Sequence, residues 1–328
     1  MKKHALRALQ FLVTAGILVW IFHDSKMRAD IPAALRRADP RWIAMGVLVS
    51  GVDQLANIVR WWIFLRVQKI DVSLWRASEI FMIGLFFNLC LPGSITGDVV
   101  KVLYLAREFH TQKAGVFLTV VVDRLIGLFI LVPFTLVIAI LRYHWFSQTP
   151  VARALLWGLI ACMAGSALML VAVFVISGFG LVHRLPARMP GRARMVWMVQ
   201  AFQLFGHAWP QTLAAFALSP VVLFTFFGTW WCAAQAFHAN VSVADIFSIM
   251  PVVAVITSLP VSFSGLGVRE QLFQNLLGDL AHVPADIAVL ISLTGFAIYV
   301  FWSLVGAVFY FFATPLSGTG RGDLETVK

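Results

Sequence analysis

Charged side chains are scarce in this chain: Asp, Glu, Lys and Arg make up 12% of 328 residues, against roughly 25% in a soluble domain. That excludes a water-facing surface over most of the molecule. Cysteine is scarcer still. Cys90, Cys162 and Cys232 lie singly inside apolar runs, so neither a disulfide framework nor a cysteine metal site is indicated. Long polar stretches are missing too, the longest being Ser177 to Arg194, which leaves no room for an appended soluble enzyme. Acidic residues number 15 against 25 basic ones, a net charge of +10, yet the basic residues flank apolar segments without forming a continuous patch. Nucleic acid is therefore not an expected partner, and the charges read as topology determinants that also favour anionic lipid headgroups. His-Glu-x-x-His, Gly-x-Ser-x-Gly, Cys-x-x-Cys and an Asp-rich prenyl-diphosphate motif are absent, so neither an enzyme nor a cofactor is expected.

What remains is 60% hydrophobic, with a mean hydropathy of +0.88, the composition of an all-α polytopic membrane protein. Spanning segments read as Leu6 to Phe22, Trp42 to Leu65, Val116 to Leu141, Ala154 to Ile176, Thr212 to Phe237 and Ala285 to Phe312. The first resembles a signal peptide but lacks a small-residue cleavage pattern, so it is expected to stay as a helix. Two stretches do not fit the spanning pattern. Ile80 to Leu91 has twelve residues and runs into Pro92-Gly93, where about twenty apolar residues are needed to cross the hydrocarbon. It should enter, break and turn back as a re-entrant hairpin beginning at Ser78. A second hairpin from Asp245 repeats the design: Ala244-Asp245-Ile246-Phe247 echoes Ser78-Glu79-Ile80-Phe81, and Leu259-Pro260 with Gly265 and Gly267 echoes Leu91-Pro92 with Gly93 and Gly97. Three full spans separate the two, so they should dip from opposite faces, in repeat-like halves of about 42–141 and 207–312 within one domain of 1–316. Reading each hairpin as a pair of spans would instead give ten crossings. Lys and Arg distribution places the amino terminus and the 317–328 tail in the cytoplasm, although Lys26, Arg28, Arg36, Arg37 and Arg41 in the first outer loop run against the rule. Met195 to His207 has the spacing of an interfacial amphipathic helix.

Irregular backbone at membrane depth is tolerated only where it lines a cavity or is buried in protein, so Gly93 to Asp98 should face a site. Asp53, Asn57 and Arg60 share one helix face near the middle of a span. An ionisable group there costs about 2.5–3.5 kcal/mol on insertion scales and needs a partner, either a structural ion pair or a headgroup or proton site. Asp123 and Arg124 are adjacent on a helix, about 100° apart, and should reach different partners. Arg124 suits bidentate phosphate binding or a clamp onto a hairpin carboxylate such as Asp98. Asp98 and Lys101 follow the first break, and Arg269-Glu270 the second, after Gly265-Leu266-Gly267. Glycines leave amides at a new helix start open to an anion, unless they only shape the turn while the charges pair among themselves.

Leu91-Pro92-Gly93 with Gly97-Asp98-Val99-Val100-Lys101, then Asp123-Arg124-Leu125-Ile126-Gly127-Leu128, then Pro260 with Gly265-Leu266-Gly267-Val268-Arg269-Glu270 resembles the flippase-like transmembrane family. That family includes the membrane domain of lysylphosphatidylglycerol synthase and stand-alone relatives. The resemblance implies a bacterial inner-membrane lipid flippase, with Asp98, Arg124, Arg269 and Glu270 matching its polar motif residues. Its implied partner is an anionic phospholipid or a polyprenyl-linked phosphate; self-association is left open. Two positions depart from the pattern: Thr96 replaces the second glycine of a Gly-Gly-Asp, and Lys101 replaces an arginine, removing a bidentate fork. The synthase's aminoacyltransferase domain has no counterpart here, so lipid aminoacylation is not expected. The expected site is a net-positive midplane cavity built from Gly93, Gly97, Asp98, Lys101, Arg124, Gly265, Gly267, Arg269 and Glu270, backed by the network of Asp53, Asn57, Arg60 and Asp123. A membrane enzyme acting on a lipid-linked phosphate through Asp98, Glu270 and a metal is the alternative, and a scaffold for a lipid or envelope pathway is a third.

Overall fold

The computed structural model describes residues 34–90, 96–178, 208–259 and 262–312. The expected first span, Gly93 and both proline breaks, the 195–207 helix and the carboxy-terminal tail lie outside these residues. Among the described residues, five helices are long and apolar enough to cross a membrane: α1 (Pro40–Val67), α4 (Lys113–Leu141), α6 (Pro150–Gly178), α7 (Trp209–Ala236) and α10 (Ala285–Phe312). They coincide with the five spans expected after Leu6–Phe22, and the protein is an all-α multi-pass membrane protein. Between them lie four shorter helices in two pairs, α2 (Leu74–Cys90) with α3 (Thr96–Glu108), and α8 (Val243–Ser258) with α9 (Val268–Ala281). A single turn, α5 (Tyr143–Phe146), caps the end of α4.

Each short pair is an antiparallel hairpin, and ion pairs fix its base. In the first, Arg76 at the start of α2 binds Glu79 at 2.8 Å and also Glu108 at the end of α3. Near the tip, Gly97 lies under Gly84, so close that a Cβ on Gly97 would stand 2.3 Å from the Gly84 carbonyl. Only the absence of side chains lets the two arms touch there. In the second hairpin, a capping box between Ser242 and Asp245 starts α8. Arg142, at the end of α4, binds Asp245, and the Trp145 indole donates to the Leu280 carbonyl at 3.1 Å. Both ends of the second hairpin therefore sit where α4 finishes, whereas the first hairpin is rooted where α4 begins. The two hairpins open toward opposite ends of the bundle, and among the described residues three long helices, α4, α6 and α7, lie between them in sequence.

The centre is the antiparallel pair α1 and α7. The Asp39 amide opens α1 by donating to the Ala236 carbonyl at the end of α7 (2.8 Å). The Asp39 carboxylate caps α1 through the Arg41 amide, and Pro40 occupies the first helical position, where no amide is needed. On α1, Leu48, Val52 and Leu55 are exposed while Ser50, Asp53 and Arg60 are buried, so its polar stripe faces protein and its apolar stripe faces lipid. α10 crosses α2 through Gly306, where a Cβ would lie 2.1 Å from the Met82 carbonyl. Elsewhere Ile140, Leu168 and Phe311 are over 70% exposed. A water-soluble protein would hide such a surface; hydrocarbon accepts it.

Candidate functional site

The polar residues of the apolar helices converge. Asp53 accepts from the Gln54 and Asn57 side-chain amides at 3.0 and 3.1 Å. Asn57 in turn accepts from Arg60 at 3.1 Å, and Arg60 reaches across to Asp123 on α4 at 2.7 Å and to Ser219 on α7 at 3.2 Å. Asp123 and Arg124 thus part company as their helical offset requires. Arg124 turns to Asp98 on α3, placing Nε 2.7 Å and Nη2 2.6 Å from Oδ2. The other oxygen of Asp98 is 2.7 Å from Lys101 Nζ, whose ammonium also lies over the rings of Trp61 and Phe81 at 5.2 and 4.8 Å.

A second cluster stands at the start of α9. Arg269 binds Glu270 at 3.1 Å and donates to Ser292 on α10 at 3.1 Å, and Ser292 donates to Glu270 at 2.8 Å. The Arg269 guanidinium packs over Phe296 and Trp230, 4.4 and 5.3 Å from their centroids. Glu270 also accepts from the Gly267 amide at 2.5 Å, closing the first turn of the helix on itself. The chain reaches that turn through Gly265 and Gly267 at φ +74° and +83°, backbone that favours glycine.

Two cavities separate these clusters. The larger, about 1050 Å³, is bordered by Asp98, Lys101, Asp123 and Arg124 and by apolar residues including Phe117, Leu128, Leu131 and Phe227. The smaller, about 430 Å³, lies against the second hairpin and is bordered by Ser50, Gln54, Thr229, Thr257, Ser264, Arg269 and Tyr299. Asp53, Asn57, Asn88, Arg124, Phe226 and Ser258 line both. The larger cavity has the volume of a site for a drug-sized ligand, and its lining is amphipathic.

Two expectations change. The glycine amides at the helix starts are not open: Gly97 N–H donates to Asn88 Oδ1 at 2.6 Å, and Gly267 N–H to Glu270. Nor is the positive charge unopposed: Lys101 and Arg124 share Asp98, Arg60 faces Asp123 and Arg269 faces Glu270. The physical reason is the same in both cases. A buried donor or charge left without a partner is costly, and here the protein supplies the partners itself. Arg124 differs from the others. Its side chain is 58% exposed against 6–7% for Arg60, Lys101 and Arg269. Asp98 takes the Nε/Nη2 edge, which leaves the Nη1/Nη2 edge free of it, and the residue borders both cavities. Asn88, Ser219, Ser292 and Tyr299 were not singled out from the sequence; an amide or hydroxyl inside an apolar run was the available signal.

Two archaeal proteins share part of the sequence. A UPF0104 membrane protein of Pyrococcus horikoshii is 30% identical over 136 residues, 41% of this chain and 39% of the relative. A UPF0104 membrane protein of Methanothermobacter thermautotrophicus is 28% identical over 151 residues, 44% of this chain and 42% of the relative. The chain thus spans about two-fifths of the length of each. The family model described as the lysylphosphatidylglycerol synthase TM region matches residues 7–306. With the motif positions Asp98, Arg124, Arg269 and Glu270 gathered around paired cavities, the chain belongs to the lysylphosphatidylglycerol synthase transmembrane-region family.

Proposed function

We propose that this protein moves an anionic phospholipid or a lipid-linked phosphate across the bacterial inner membrane, its headgroup passing through the two cavities while its tails stay in the bilayer. The half-open guanidinium of Arg124 carries this reading. It sits eleven residues into a 29-residue apolar helix, on the wall shared by both cavities, with one edge held rigid and the other free of Asp98. A phosphodiester entering hydrocarbon loses its hydration, a cost of several kcal/mol or more. Two charge-assisted bonds from a preoriented guanidinium, at about 1.5–3 kcal/mol each, offset a large part of it. The opposed hairpins support access from either side, and the apolar lining of the larger cavity suits the first carbons of the tails. Amino and carboxy termini are placed in the cytoplasm on this reading.

The test is movement of fluorescent phosphatidylglycerol and of a polyprenyl phosphate between leaflets of proteoliposomes, with a phosphatidylcholine probe as control. The expected outcome is movement of an anionic probe above protein-free vesicles. Arg124→Gln should slow it about 100-fold, the loss of roughly 3 kcal/mol of charge-assisted bonding, while Lys101 still neutralises Asp98. Rates at the protein-free level for every anionic probe would overturn the proposal. Turnover of a lipid-linked phosphate in detergent, where no bilayer has to be crossed, would replace it with an enzymatic role.

A further inference from the structure

Of the four buried carboxylates around the cavities, three have cationic partners: Asp98 with Lys101 and Arg124, Asp123 with Arg60, and Glu270 with Arg269. The fourth does not. Asp53 is 7% exposed, and its bonded side-chain partners are the neutral amides of Gln54 and Asn57. An ammonium or guanidinium partner suits a carboxylate alone, since a proton on the acid would leave the cation unmatched. A carboxamide N–H can donate to either form, more strongly to a carboxylate oxygen but also to the carbonyl of a carboxylic acid, and it brings no charge that a proton on the acid would leave unmatched. Asp53 also lines both cavities, so it is within reach of water entering from either hairpin.

Its charged and titratable surroundings are well defined. From its own helix comes Arg60, already bound by Asp123 of α4; α4 also brings Arg124, and α10 brings Tyr299. Across the larger cavity stand Asp98 and Lys101 of α3, and across the smaller one Arg269, paired with Glu270. The cavity-lining residues of α2, α7 and α8, such as Asn88, Thr229 and Thr257, are neutral. Asp53, Asp98 and Asp123 balance Arg60, Lys101 and Arg124, so the empty network sums to zero with Asp53 ionised. A phosphodiester beside Arg124 brings it to −1, and a proton on Asp53 restores zero.

From this geometry we infer that Asp53 is a proton-binding site, loaded through the cavities, that takes up one proton for each anionic headgroup carried. The proton adds to a carboxylate oxygen from water in one cavity and leaves to water in the other. No other bond forms or breaks. The inference rests on the lipid-transport reading for its partner and on the carboxylate's surroundings for its site, and the two parts separate experimentally.

Infrared difference spectroscopy of the full chain in nanodiscs, titrated with pH, reads the site without any lipid substrate. A protonated-carboxyl C=O band that follows pH, shifts on ¹³C-aspartate labelling, vanishes in Asp53→Asn and returns at a changed frequency in Asp53→Glu is the expected result. Absence of such a band, or its persistence in Asp53→Asn, overturns the site. In proteoliposomes, one-to-one exchange of electroneutral loads makes a gradient of one pH unit hold about a tenfold leaflet asymmetry of the fluorescent anionic lipid. Asp53→Asn should abolish that asymmetry. Equal leaflets under a gradient, with lipid moving freely, would remove the coupling and leave lipid transport standing. A titrating Asp53 band with no movement of any anionic lipid would sink lipid transport and keep the proton site.

Discussion

Glu270 shows how one buried side chain serves the local fold and the site at once. It is fully buried, accepts from the Gly267 amide, Arg269 and Ser292, and so ties the start of α9 to α10. Removing one partner of a buried, hydrogen-bonded pair leaves the other charge uncompensated, typically at about 3–5 kcal/mol. Glu270→Ala should therefore lower the melting temperature of the detergent-solubilised protein markedly, with Glu270→Gln, which keeps an acceptor for Gly267, less affected. Equal melting of Glu270→Ala and wild type would show that this cluster does not hold the helix start. At this scale the sequence was informative about identity and silent about engagement. Asp98, Arg124, Arg269 and Glu270 stood out because charge in apolar surroundings is conspicuous. That three of them are sealed in pairs and one is half open depends on which helices flank them, and nothing in the local sequence encodes that.

The first hairpin depends on the arms meeting at Gly84 and Gly97, as well as on Arg76 bridging Glu79 and Glu108 at its base. A methyl group on Gly97 has to displace both the Gly84 carbonyl and the Asn88 side chain, 2.3 and 2.7 Å from where it would stand. Overpacking of this kind costs about 1–3 kcal/mol. Gly97→Ala should reduce thermal stability by that amount and, by moving Asp98, slow lipid movement as well. Unchanged stability in a differential scanning measurement would show that the arms have slack. The first hairpin was legible in the sequence through its short apolar run and the second through its echo of the first one's motifs, and α2 and α8 have 17 and 16 residues. The internal bonding of the hairpins was not legible. The expectation of open amides failed because Asn88, nine residues upstream, reaches Gly97, a pairing fixed only once the chain has folded back.

Across the whole molecule, opposite rooting of the two hairpins is the feature on which two-sided access depends. Single cysteines in a cysteine-free background test it: Asp71→Cys beside the base of the first hairpin and His238→Cys beside the base of the second, both exposed. A membrane-impermeant maleimide applied to intact cells or oriented vesicles should modify one and spare the other. Modification of both from the same side would place the hairpins on one face and remove the basis for a shared midplane site. The sequence alone settled the solvent of this protein, its five described spans and the shortness of its hairpins, because hydrocarbon thickness imposes a length and a polarity that can be counted along a chain. Only the tertiary structure settled which charges cancel, which guanidinium edge stays open and which carboxylate has neutral neighbours. Those depend on distances of about 3 Å between helices that are up to some 160 residues apart in sequence, such as Arg60 and Ser219, and pairings over such separations are fixed by packing, not by any local pattern of residues.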